Sequence, residues 1–152
     1  LTDLGRDFIK FILSAEGQAI VGEKYIAVEE DAGEYTSSGM TGNLSVNGST
    51  SVGPVMMELA EAYRSWNPGV TIDVQQTGSG AGITATLEGT CEIGMSSRDL
   101  KAEELAQGLT SVQIALDGIA VIVNQENPVT GLTTQQIRDI FLGNVTRWSE
   151  LG

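Results

Sequence analysis

Histidine is absent from this 152-residue chain, and cysteine occurs once. The first absence removes the commonest general base and the commonest transition-metal ligand together. The second excludes an intrachain disulfide. Cys91, just before a strand-like run, reads as a buried, inert thiol. Basic residues are scarce: eight Lys and Arg stand against twenty Asp and Glu, a formal net charge of −12. With no basic stripe to neutralise phosphates, nucleic acid is excluded as a partner, and so are anionic membrane surfaces. A small anion is not excluded. Amide dipoles act at hydrogen-bond range, whereas scattered surface charge, including the cluster Glu29-Glu30-Asp31, is screened over about 8–10 Å. Long apolar runs are missing too, and residues 119–123 are far too short to cross a bilayer. Leu1 opens directly on a helical pattern with no signal peptide, which reads as a trimmed mature chain or a cytoplasmic one.

What is present is enough apolar material, 41% of residues, for one ordinary core. Leu4, Phe8, Ile9, Ile12 and Leu13 form an amphipathic helical stripe over residues 3–13. Ser14 suits the cap of a second short helix reaching Val21, its hydroxyl accepting from Glu16 or Gly17. Residues 25–28 read as a short strand. Between 29 and 43 the periodicity stops, and a Gly-, Ser- and Thr-rich run reads as a linker, long for the inside of a compact domain. Strand and helix then alternate: a strand at 44–46, a helix at 54–66 with Pro54 in its first turn, and a strand at 70–76. A short helix at 83–87, a strand at 92–95 and a short helix at 101–107 follow. Two further strands are expected at 112–116 and 118–123. Thr133 opens a last helix with a capping-box partner in Gln136, and Gly143 fits its C-terminal cap. This alternation predicts the α/β class, a mostly parallel sheet flanked by helices.

Three turns carry candidate chemistry. In open α/β sheets ligands gather beyond the carboxyl ends of strands. The first turn, Asn47-Gly48-Ser49-Thr50-Ser51, joins a strand to the helix at Pro54. It offers hydroxyls and free N–H groups, though plain N-capping needs only one of them. The second, Thr77-Gly78-Ser79-Gly80-Ala81-Gly82, lets the backbone approach a ligand closely and aim successive N–H groups one way. It is neither a Walker A loop nor a good dinucleotide fingerprint. The third, Ser96-Ser97-Arg98-Asp99, adds a hydroxyl at Ser97. Arg98 either backs the site or pairs with Asp99, and the pairing is the reading favoured. Ser79 as a hydrolytic nucleophile lacks an activating base, because there is no histidine and no lysine placed to serve.

The same turns carry a resemblance. Asn47-Gly48-Ser49-Thr50 with Pro54, Gln76-Thr77-Gly78-Ser79-Gly80-Ala81-Gly82 and Gly94-Met95-Ser96-Ser97-Arg98 recur in the phosphate-binding proteins of bacterial phosphate ABC importers. So do Leu116-Asp117-Gly118-Ile119-Ala120-Val121-Ile122-Val123-Asn124 and Ile140-Phe141-Leu142-Gly143-Asn144-Val145-Thr146-Arg147-Trp148. Jointly these are specific, and they span residues 44–152. The resemblance implies one lobe of a type II periplasmic-binding-protein-like fold. It implies a non-enzymatic role with no cofactor and no metal. The ligand would be inorganic phosphate, held by Ser49, Thr50, Ser51, Ser79, Gly80, Ser97 and Arg98. Ser97 falls where some family members carry an acidic residue that accepts the phosphate proton. The partner implied for the intact protein is a membrane ABC permease, and the location is extracytoplasmic, in a periplasm or as a surface lipoprotein.

The opening segment Leu4-Gly5-Arg6-Asp7-Phe8-Ile9-Lys10-Phe11-Ile12-Leu13-Ser14-Ala15-Glu16-Gly17-Gln18-Ala19-Ile20-Val21 resembles the family's C-terminal helices, here placed first. Residues 1–152 therefore read as a single lobe in circularly permuted order: helices and strand at 1–28, linker at 29–43, family N-terminal lobe at 44–152. A fusion of one copy's end to the next copy's start is the alternative order. With the second lobe's donors absent, the expected activity is half of a phosphate site, in a monomer or a domain-swapped dimer. The alternatives are a dissected or engineered structural domain with no measurable ligand, or a lobe for another tetrahedral oxyanion such as sulfate or molybdate.

Overall fold

The computed structural model describes residues 1–29 and 31–151. Glu30, inside the expected linker and acidic cluster, and Gly152, the end of the expected lobe, lie outside the described residues. The chain divides into two compact units, Leu1–Gly118 and Ile119–Gly152.

In the first unit, helix α1 spans Asp3–Ile12 and α2 spans Ala15–Gly22. Thr2 and Ser14 cap them by accepting from the Gly5 and Gly17 N–H groups, as their hydroxyls suit them to do. Asp3 at the start of α1 and Lys10 at its end both favour the helix dipole. The apolar stripe of α1 buries Leu4, Phe8, Phe11 and Ile12.

Strand β1 (Thr41–Gly48), helix α3 (Gly53–Trp66), strand β2 (Gly69–Gln76), helix α4 (Ser79–Leu87) and strand β3 (Ile93–Met95) follow in alternation. Helix α5 is the short Ala102–Leu105. The sheet is parallel, in the order β2-β1-β3. Leu44 and Val46 of β1 meet Val55, Met56, Leu59 and Tyr63 of α3 and the α1 stripe in one core. In register, Gly48 stands beside both Gln76 and Met95. All three strands therefore end on one line, which is what places their following turns together.

Three expected elements differ. Residues 25–28 and 112–116 do not form strands; they meet only through an isolated antiparallel bridge, Ile26 to Leu116. Residues 118–123 are irregular as well, with Ile119 and Ile122 at 96% and 90% exposure. These apolar runs suit a buried strand, but among the described residues nothing pairs with them beyond that single bridge. The segment read as a linker is also anchored. Tyr35 is buried against the edges of Phe11 and Tyr63, and β1 already begins at Thr41. The Asp7 carboxylate accepts from Tyr35 and Tyr63 at 2.5 and 2.6 Å and from Ser38 at 2.8 Å. Asn67, which stops α3, donates to the Tyr35 hydroxyl and accepts from Ser37.

In the second unit, α6 spans Thr134–Leu142. Its capping box is formed: the Thr133 hydroxyl accepts from Gln136 N–H, and Gln136 Oε1 accepts from Thr133 N–H. Gly143 closes the helix in the left-handed region, as expected. A short 3-10 turn covers Trp148–Glu150. Phe141 and Leu142 on α6 are largely exposed.

Candidate anion-binding site

The first turn leaves β1 at Gly48, whose φ of 143° and closeness to the Met95 carbonyl leave no room for a side chain. The Gly48 carbonyl accepts from the N–H groups of both Thr77 and Gly78, at 2.9 and 2.8 Å. That carbonyl staples the second turn to the first. Across the other edge of β1, Ser49 N–H donates to Met95 O at 2.9 Å, which fixes the first turn to the end of β3. The second and third turns touch directly. Ser97 N–H donates to Ser79 Oγ at 3.1 Å, and the two hydroxyl oxygens lie 3.2 Å apart. The three expected turns thus converge at one rim of the sheet.

Within that rim the sequence-predicted residues divide by role. Ser49 is buried, with 2% exposure. Its N–H is taken by Met95, and its Oγ accepts from Val52 N–H at 3.3 Å, so it caps the approach to α3. Thr50 and Ser51 are exposed, and among the described residues their N–H groups meet no acceptor. Ser79 and Gly80 are the first residues of α4, where first-turn N–H groups have no intrahelical partner and the helix dipole is positive. Gly78, with φ 96°, lets the chain turn sharply into that helix. Ser97 presents its hydroxyl beside that of Ser79.

Arg98 is placed differently from the favoured reading. Its guanidinium makes a two-pronged pair with the Glu104 carboxylate at 2.7 and 2.9 Å. From Asp99 it takes only the backbone carbonyl. Bonds from Arg98 and from Lys101 N–H draw the Glu104 carboxyl down to about 2, and the same pairing raises the Arg98 guanidinium above its ordinary value. The partner lies six residues along the chain on α5, a distance the sequence does not announce.

Two supporting groups also escaped the sequence reading. Asn47 Oδ1 accepts from the Thr77 hydroxyl at 2.6 Å. Tyr25 Oη donates to the Ser51 carbonyl at 2.8 Å. Asn47 lies inside the turn already singled out, but nothing local marks Tyr25. Beside the rim opens a cavity of about 460 Å³, lined by Ser51, Ser97 and Arg98 together with Val52, Ile83 and Leu109.

A parallel βαβ layer with hydroxyls and open amides at the carboxyl ends of its strands is an arrangement shared by the lobes of periplasmic-binding-protein-like domains. The model of the PBP superfamily domain matches residues 33–152, and the chain belongs to that superfamily. The phosphate-binding protein PstS 2 of Streptococcus pneumoniae is 49% identical over 152 residues, covering 99% of this chain and 52% of its own length. The chain spans about half the length of the curated relatives it matches. Among solved structures, a phosphate ABC transporter phosphate-binding protein from Streptococcus pneumoniae matches with a TM-score of 0.91 at 48% identity, over 100% of this chain and 59% of that one. A substrate-binding protein from Clostridium perfringens, described as a putative phosphate ABC transporter component with bound phosphate, matches with a TM-score of 0.61 at 53% identity. That match covers 72% of this chain and 45% of that one. The family read from the three turns is the one these comparisons return.

Proposed function

We propose that this chain binds inorganic phosphate as half of a two-sided site, the part contributed by one lobe of an extracytoplasmic solute-binding protein for ABC phosphate import. The observation that carries the reading is the Ser79–Ser97 contact at 3.2 Å beside the open amides of Thr50, Ser51, Ser79 and Gly80. Helix N-termini and successive N–H groups favour a compact oxyanion. Thr50, Ser51, Ser79, Gly80 and Ser97 hold the anion directly. Ser49 and Arg98 serve at one remove, Ser49 by holding the turn to β3 and Arg98 by anchoring the third turn to α5. The phosphate-binding names of the relatives support the choice of ligand. The ABC-transporter wording of the solved relatives also supports a membrane permease as partner of the intact protein, for which a location outside the cytoplasmic membrane is proposed with it. The role is binding rather than catalysis, because hydroxyls without an adjacent base suit holding an anion better than attacking one.

The organisation proposed is a permuted one, in which residues 1–28 stand in for helices that close the lobe from the other end of a relative. The burial of Phe8, Phe11 and Ile12 against β1 and α3 is the support for it.

Titration of the isotope-labelled chain with phosphate, read at the turn amides, tests the reading. Saturable shifts at millimolar phosphate are expected, with Ser79→Ala weakening the affinity about tenfold through loss of one hydroxyl bond to a charged ligand. Sub-micromolar binding would contradict a half-site. Silence at all four open amides would contradict the phosphate reading, and equal shifts with sulfate or molybdate would widen the ligand class.

A further inference from the structure

Thr50 and Ser51 can offer their N–H groups to an anion only if the peptide units around them are held in place. Three of the neighbouring groups are restrained. The Ser49 carbonyl accepts from Gly53 N–H, and the Val52 N–H donates to Ser49 Oγ. The Ser51 carbonyl belongs to the same peptide unit as that Val52 N–H. It lies before α3, and among the described residues its hydrogen-bond partner is the Tyr25 hydroxyl, at 2.8 Å. Tyr25 and Ser49 therefore grip the two ends of one peptide, which orients the pair of open amides preceding it.

We infer that Tyr25 is a positioning residue for the first anion-binding turn, so that the N-terminal segment shapes the site and does not only complete the core. The inference rests on the phosphate reading above. Tyr25 is well suited to the task. Its ring is half-buried against the core, and its neighbour Lys24 pairs with Glu58 on α3. The segment is thus fastened to the same helix whose first turn the hydroxyl restrains. A rigid ring delivering one hydroxyl loses little conformational freedom when it makes that bond.

Tyr25→Phe keeps the ring and deletes the bond. The expected result is a three- to tenfold weaker phosphate affinity, about the worth of one net hydrogen bond. Backbone order parameters at Thr50 and Ser51 should fall from about 0.85 toward the flexible range, while those at Ser79, Gly80 and Ser97 stay put. The melting temperature should hardly move. Lys24→Ala, which loosens the same segment without touching the Ser51 carbonyl, should leave both affinity and order parameters as in the wild type. If the wild-type chain shows no phosphate shift at the turn amides, the anion reading itself fails and this inference with it. If the wild type binds but Tyr25→Phe binds as tightly, with Thr50 and Ser51 equally ordered, the role of Tyr25 is refuted and the site stands. Equal weakening by Tyr25→Phe and Lys24→Ala would also refute it, reducing Tyr25 to general docking of the segment.

Discussion

Asp7 shows how one carboxylate decides where a whole segment lies. Partial burial favours its protonated form, yet bonds from Tyr35, Tyr63 and Ser38, with the charge of Lys10 nearby, outweigh burial and hold it below the ordinary 3.8. The same bond network and burial push the Tyr63 hydroxyl up well beyond its usual range. Because the folded value lies below the unfolded one, the carboxylate's stabilisation is complete above about 3.8 and is lost as pH falls through the lower folded value. Asp7→Asn should therefore lower the melting temperature at neutral pH, by an amount equivalent to about 1 kcal/mol for a partly buried charged acceptor. The gap between variant and wild type should close as pH drops below about 3.8 and through the lower folded value. Thermal melts across that range would measure it. A gap that stays unchanged however far the pH is lowered would mean that Tyr35 and Tyr63 are held by packing rather than by the charge.

At the level of elements, the site depends on how closely α4 approaches the end of β1. A Cβ on Gly82 would stand 2.5 Å from the Asn47 carbonyl oxygen and from Gly48 Cα, both backbone atoms that cannot swing aside. Gly82→Ala should push α4 outward and cost about 1–3 kcal/mol, as overpacking does. It should also separate Ser79 from Ser97 and weaken phosphate binding, which urea unfolding and an amide titration would register together. A destabilised variant with unchanged affinity would show that the second turn tolerates the shift. This packing could be foreseen only in part. The helices and the three paired strands were legible in kind from period and breakers, although β1 begins at Thr41 and α4 at Ser79, earlier than the 44 and 83 read from the sequence. The runs at 25–28, 112–116 and 118–123 were not. Apolar alternation shows that a segment could pair, while pairing itself needs a neighbour elsewhere in the chain. Tyr35 was hidden for a related reason, since one aromatic anchor in a polar stretch has no period. In the site, the convergence of Ser79 and Ser97 followed from their places after parallel strands. The loss of the Ser49 amide to Met95 follows from strand register, and the capture of Arg98 by Glu104 from the placement of α5. Neither is written in local sequence.

The molecule as a whole poses an electrostatic question, because the proposed anion site sits on a chain with a formal charge of −12. Two contributions act on an approaching phosphate, and they respond to salt unequally. Bonds from Thr50, Ser51, Ser79, Gly80 and Ser97 act at contact range and are scarcely screened. Repulsion from the surface carboxylates acts over the screening length, which shrinks from about 30 Å at 0.01 M salt to about 8 Å at 0.15 M. Adding sodium chloride over that interval should therefore tighten phosphate binding, by about fivefold, since the long-range penalty falls while the contacts remain. A site built on free cationic side chains would weaken under the same treatment. Arg98 is the only cationic side chain among the proposed binding residues, and its guanidinium is already shared with Glu104 in a two-pronged pair. Titrations at constant pH in low and moderate salt would separate the two designs. Affinity that collapses as salt rises would mean that Arg98 leaves Glu104 to meet the anion, and that backbone amides are not what holds it.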